Sequence, residues 1–132
     1  MNNGQPRGKY NNTKFELPNG EKFDSVKEYK RWRELLFLQH DGVISDLQRQ
    51  VEFELIPTQW ETYERYGKNG QRLKDGRRHV ELAVTYVADF VYTKDGKQVV
   101  EDVKSNMTKK LPDYVIKRKL MLYLKGIKIL ET

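Results

Sequence analysis

Hydrophobic and polar positions are patterned most clearly between residues 84 and 105, VTYVADFVYTKDGKQVVEDVKS. Two runs rich in Val, Tyr and Phe flank Lys94-Asp95-Gly96-Lys97. Asp-Gly between such runs marks a two-residue hairpin turn, because both central residues must tolerate positive φ. Such a turn pairs Lys94 with Lys97 and, further along the ladder, sets Asp89 opposite Asp102. Strand side chains repeat with period two, so Lys104 shares the face of Asp102 while Glu101 and Val103 take the other. Upstream, Val51, Phe53 and Leu55 alternate with Gln50, Glu52 and Glu54 before Pro57, which predicts a half-buried first strand. Residues 80–92 predict a second strand, long enough to be bent or bulged, and residues 98–105 a third.

Two stretches carry helical periodicity instead. Val26, Tyr29, Trp32, Leu35, Leu36 and Gln39 form one stripe, opened by Asp24-Ser25 and closed by Asp41-Gly42. Ser25-x-x-Glu28 fits a capping box in which the glutamate returns to the Ser25 amide. The second helix starts at Pro112 with Asp113 at its positive end, takes Ile116, Leu120, Tyr123 and Leu124 as its core stripe, and stops at Gly126. Residues 127–130 predict a short last strand. Residues 14–23 read as a turn at Pro18-Asn19-Gly20 with short extended flanks, and residues 58–79 as a loop-like insertion. The order is helix, strand, strand, strand, helix, strand, an α/β fold with no internal repeat.

The 132 residues suit one domain, spanning residues 15–132 behind a polar arm, residues 1–14, expected to be disordered. Arg7 and Lys9 in that arm could touch a phosphate backbone, although an idle tail is the simpler reading. Lysine and arginine number 25 against 19 Asp and Glu, a net charge of +6 that suits a nucleic-acid partner. With no cysteine, disulfides, thiolate catalysis and Cys-type zinc sites are excluded, and two histidines leave little for a His-rich site. Any metal is then a hard cation on carboxylates. No apolar run approaches ~20 residues and no apolar leader is visible, so neither a membrane span nor a signal peptide is expected, and the protein is read as cytoplasmic.

The hairpin carries the candidate chemistry. Carboxylates directly opposed on neighbouring strands, ~4.5–5.5 Å apart at Cβ, repel one another, and a divalent cation answers that repulsion. With Lys104 on the same face, Asp89 and Asp102 suit Mg²⁺ held by oxygen donors beside a positive group near a reacting phosphate. The competing reading pairs Asp89 with Lys104 across the strands and leaves Asp102 solvated. Glu28, at the margin of the first helix's buried face, either caps that helix or reaches inward to a metal, and spacing favours the cap. In the insertion, Arg65, Lys68, Arg72, Lys74, Arg77 and Arg78 lie among glycines next to Trp60, Tyr63 and Tyr66, which suits phosphate contact plus stacking. Its alternative is a solvated excursion packed on the domain edge.

The element order, with Ala88-Asp89 in the second strand and Asp102-Val103-Lys104 in the third, resembles the core of the PD-(D/E)XK nuclease superfamily. Phe23-Asp24-Ser25-x-x-Glu28, Gln50 ahead of a strand, Tyr86-x-Ala88-Asp89-Phe90 and Val100-Glu101-Asp102-Val103-Lys104 look like small phage-encoded members related to Holliday-junction resolvases and to the cutting subunit of heteromeric transposases. Ala88 stands where the superfamily name has Pro. The resemblance spans residues 15–131 and implies a restriction-endonuclease-like core with a mixed central sheet flanked by helices. It implies that Asp89, Asp102 and the Val103 carbonyl bind Mg²⁺ or Mn²⁺, that Glu28 completes the metal site, and that Gln50 orients water or the metal shell. Lys104 would position or deprotonate the attacking water, and Lys117 and Lys119 would contact phosphates. The expected activity is Mg²⁺-dependent hydrolysis of DNA of branched or recombination type; symmetric incision of a junction would favour a homodimer, and a phage protein would work in the host cytoplasm. A non-catalytic nucleic-acid-binding accessory and an RNA-directed nuclease are the alternatives.

Overall fold

The computed structural model describes residues 14–132. Apart from Lys14, the predicted disordered arm lies outside the described residues, Arg7 and Lys9 included. A short antiparallel pair, β1 (Phe15–Glu16) and β2 (Lys22–Phe23), frames the Pro18-Asn19-Gly20 turn and leads into α1 (Val26–His40). The helix starts where expected, with Ser25 Oγ accepting from the Glu28 amide at 3.1 Å.

The central sheet has the order β3-β6-β7-β8, formed by β3 (Ser45–Ile56), β6 (Val84–Lys94), β7 (Lys97–Asp102) and β8 (Leu130–Glu131). Its first two pairings are antiparallel and the β7/β8 pairing is parallel, which makes the fold α/β with a mixed sheet. The β6/β7 hairpin keeps the predicted register, Lys94 opposite Lys97 through Phe90 opposite Glu101, around Asp95 and Gly96 at positive φ. Parallel β8 is reached through α2 (Pro112–Lys125), which stops at Gly126 in the left-handed conformation. The second strand begins at Val84 rather than 80, the third ends at Asp102 rather than 105, and the last is only two residues long.

The two sheet faces are packed separately. Leu35 of α1 covers Ile44, Phe90 and Tyr92, with Trp32, Leu38, Leu47 and Val99 around them. Tyr114 and Met121 of α2 cover Leu55, Tyr86, Ala88, Val91, Val100 and Ile129. Sheet and helix choice explain why two predicted stripes were misplaced. On α2, Ile116, Tyr123 and Leu124 are exposed and Leu120 is only partly covered, because the helix is rolled to bury Tyr114 and Met121, one heptad apart. On α1, Val26 and Leu36 face outward, while Leu38 packs inward.

Residues 58–79 are not a loop. They form a separate antiparallel ribbon, β4 (Gln59–Tyr66) and β5 (Arg72–Glu81), whose strands pair only with each other. Every residue of β4 is exposed. Among the described residues no helix is long and apolar enough to cross a membrane.

Candidate functional site

The site forms where two strands change face together. On β3, Leu47 belongs with the α1 side, whereas Val51 and Leu55 belong with the α2 side, although all three are odd-numbered. Between them Gln50 adopts φ 51, and a left-handed residue inside a strand breaks the two-residue alternation. On β6 the same switch falls between Ala88, on the α2 side, and Phe90, on the α1 side. Asp89 is the residue at that switch. Its carboxylate accepts the Val103 amide at 2.8 Å and the Gln50 side-chain amide at 3.3 Å.

The ladder keeps the predicted register as far as Phe90 opposite Glu101, one pair short of Asp89 and Asp102, and the two acids lie close enough to interact. Burial, then hydrogen bonding to Asp102 and the charge of Asp102, push the Asp89 carboxyl up to about 8. One negative charge of this pair therefore asks for a proton or a cation. Asp102 is 3 % exposed, so the reading that left it solvated is wrong. One of its oxygens accepts the Tyr86 hydroxyl at 2.6 Å, and the other lies 3.3 Å from Lys104 Nζ. Lys104 thus pairs with Asp102 and not with Asp89, as period two places them on one face. Its ammonium also sits 4.5 Å over the Tyr114 ring, whose hydroxyl donates to Glu131 at 2.8 Å. Burial and the neighbouring Asp102 raise the Tyr86 phenol, which keeps it a proton donor.

Glu28 both caps and reaches inward. Oε2 accepts the Asp24 amide at 3.1 Å, one residue earlier than the predicted Ser25 amide, and Oε1 accepts the Gln50 side chain at 3.2 Å. Burial and the charge of Asp89 push its carboxyl up to about 7. Gln50, inside β3 rather than ahead of a strand, is therefore a bridge between Glu28 and Asp89. Glu28 stands one amide away from the Asp89–Asp102 pair, and among the described residues no three His, Asp or Glu side chains gather as a metal-holding group. The predicted ligand set of Glu28, Asp89, Asp102 and Val103 is brought to one place, but its carboxylates do not converge on one point. By type, Asp89 and Asp102 offer the oxygen donors that a hard cation takes, and Val103 meets them through its amide on Asp89.

A pocket of about 150 Å³ opens on this constellation, lined by Glu28, Asp89, Val103 and Lys104 together with Asp24, Ser25, Lys27, Ser105 and Thr108. Lys27 Nζ donates to the Lys104 carbonyl at 3.0 Å and so brings a second cation to the rim. Sequence reading missed Lys27, since nothing in its spacing tells that α1 passes beside the end of β7. It also missed Arg49, which lies 3.9 Å over the Phe23 ring and 3.7 Å from Glu28. Tyr86 and Tyr114 could have been noticed, because a tyrosine within a buried apolar face needs a partner for its hydroxyl.

The predicted nucleic-acid residues lie elsewhere. Arg65, Arg72, Lys74, Arg77 and Arg78 stand on the ribbon, with Lys68 in its turn. Lys117 and Lys119 lie on α2, half-buried and exposed, with no ion pair among the described residues.

A family model described as "Protein of unknown function (DUF1064)" matches residues 7–128, and the chain belongs to that family. No curated protein and no solved structure matches.

Proposed function

We propose that this member of a family of unknown function is a divalent-metal-dependent DNA endonuclease on a restriction-endonuclease-like core. The observation that carries the reading is the buried Asp89–Asp102 pair, with Lys104 3.3 Å from Asp102 and with Asp89 and Lys104 lining an open pocket. A helix, three antiparallel strands, a helix and a parallel final strand surround it, the order of the superfamily that the sequence resembles.

Asp89, Asp102 and the Val103 carbonyl would hold Mg²⁺ or Mn²⁺, which supplies Lewis acidity and charge neutralisation at a phosphodiester. Lys104, fixed by Asp102 and Tyr114, positions the attacking water and balances charge growing on the phosphate. Gln50 orients the Asp89 carboxylate and relays to Glu28. Lys27 places a further positive charge at the rim of the pocket. The net charge of +6 favours a polyanionic substrate, and DNA with branches is the substrate that the resemblance implies, acted on by a homodimer.

A panel of linear, flapped and four-way DNA, with and without Mg²⁺, tests this. Wild type should cleave at least one of them only with Mg²⁺, and Asp102→Ala should lose on the order of 10²–10³-fold or more. No cleavage by wild type, or undiminished cleavage by Asp102→Ala, ends the proposal. A second reading, a binding module without catalysis, is favoured by one observation: both Asp102 oxygens are engaged by protein groups, Tyr86 and Lys104. It expects binding without divalent ions that Asp89→Ala leaves intact. An RNA panel separates an RNA-directed nuclease from both.

A further inference from the structure

We propose that the β4–β5 ribbon is an arm for the major groove of double-stranded DNA, and that it meets the duplex with the face bearing Trp60, Lys74 and Arg77. This deepens the nucleic-acid part of the reading above and does not depend on hydrolysis.

The ribbon adds nothing to the core, since its strands form a sheet of their own and β4 is exposed throughout. A lone two-stranded sheet is marginal in water, so its order has to be bought by its own side chains or by a partner. Opposed residues share a face, and the two faces differ. On one, Tyr63 opposes Gly76, and its ring lies so low that a Cβ at Gly76 would come within 2.4 Å of it. Arg78 lies 5.1 Å over that ring and is held by Glu61 at 2.5 Å. That face is engaged over Glu61, Tyr63, Gly76 and Arg78, and Arg65 farther along it is exposed without an ion pair among the described residues.

On the other face Trp60 opposes His79 and Thr62 opposes Arg77, with the Arg77 guanidinium 4.7 Å over the Trp60 ring. Lys74 falls at the register shift between Tyr63 and Arg65, where β5 carries one extra residue, on the same side. Among the described residues neither Arg77 nor Lys74 has a carboxylate within ion-pair distance, whereas Arg72 is held by Asp75 and Arg78 by Glu61. A guanidinium steadied on an indole keeps its edge donors for phosphates or base edges and loses less freedom on binding.

The shape selects the partner. B-DNA's major groove, ~12 Å wide, admits a two-stranded ribbon, and eight residues of β4 at ~3.4 Å each span roughly eight base pairs. The A-form groove of double-stranded RNA is too narrow to admit one. Single strands bind by stacking bases on free aromatic faces, yet Trp60, Tyr63 and Tyr66 each carry an arginine. The ribbon's base, where Ile56 opposes Val84, lies six residues along β3 from Gln50, ~20 Å at strand rise, so this contact is separate from the pocket.

The test is fluorescence anisotropy in chelator, where no cleavage intervenes, with labelled DNA duplex, RNA duplex and single-stranded DNA of one sequence over a salt series. Wild type should bind the DNA duplex about tenfold more tightly than either other probe. A Lys74→Ala/Arg77→Ala double variant should lose about tenfold and lower the salt slope by about two. Arg77→Ala should cost more than Arg78→Ala. A chain with residues 59–81 replaced by a short Gly-Ser turn, checked by its melting, should lose the duplex preference. Unchanged affinity without the ribbon, equal binding of RNA duplex or single strands, or equal losses from Arg77→Ala and Arg78→Ala would overturn the inference. Binding as expected with no cleavage in Mg²⁺ would instead remove only the endonuclease reading.

Discussion

Asp89 and Glu28 are acids held in places that disfavour their charge. Their folded values, about 8 and about 7, lie above the ordinary 3.8 and 4.5, chiefly through burial. Such groups contribute stability that is full below about pH 4 and is lost as pH rises through about 7 to 8. Metal-free protein should therefore melt at a lower temperature at pH 8.5 than at pH 5.5, and Asp89→Asn should flatten that difference. Mg²⁺ at pH 8.5 should raise the midpoint of wild type but not of Asp89→Asn. Melting curves in chelator and in Mg²⁺ check all three, and a midpoint indifferent to pH would contradict the strained pair. Glu101 differs: it too is buried and raised, but Arg31 reaches it at 2.8 Å from α1. Removing that partner by Arg31→Met should cost about 3 kcal/mol in denaturant unfolding, the usual penalty of stranding a buried charge.

At the scale of elements, Gly76 lets the Tyr63 ring lie flat on β5. Gly76→Ala should swing the ring aside and lower amide protection in residues 72–81 a few-fold, under ~1 kcal/mol, while protection in β6 and β7 stays unchanged in hydrogen exchange. Features set by neighbours in sequence were legible: the Asp95-Gly96 turn, the Ser25 cap, and the Pro112 start and Gly126 stop of α2. Those set by distant partners were not. The roll of α2 depends on the sheet beneath it, so Ile116 and Tyr123 looked like core. The aromatics of β4 fall three apart, at Trp60, Tyr63 and Tyr66, rather than alternating, because both faces meet solvent, and the ribbon's glycines mimicked a loop. Gln50 at φ 51 carries no signal in its residue type, yet it moves the odd positions of β3 from one sheet face to the other.

For the whole molecule, the consequence of that double switch at Gln50 and Asp89 is a site served from both sides of one sheet. Glu28 and Lys27 come from α1, and Tyr114 from α2 steadies Lys104. The ribbon is a sheet of its own, so the proposed DNA contact and the proposed metal site can be tested separately by mutation. In the proposed mechanism the Asp89–Asp102 pair holds a divalent cation. Titration of Mn²⁺ followed by electron paramagnetic resonance tests it without any substrate. Wild type should hold one ion per chain, released by Mg²⁺ and lost in both Asp89→Asn and Asp102→Asn; no bound ion, or binding that survives both substitutions, would refute the metal site.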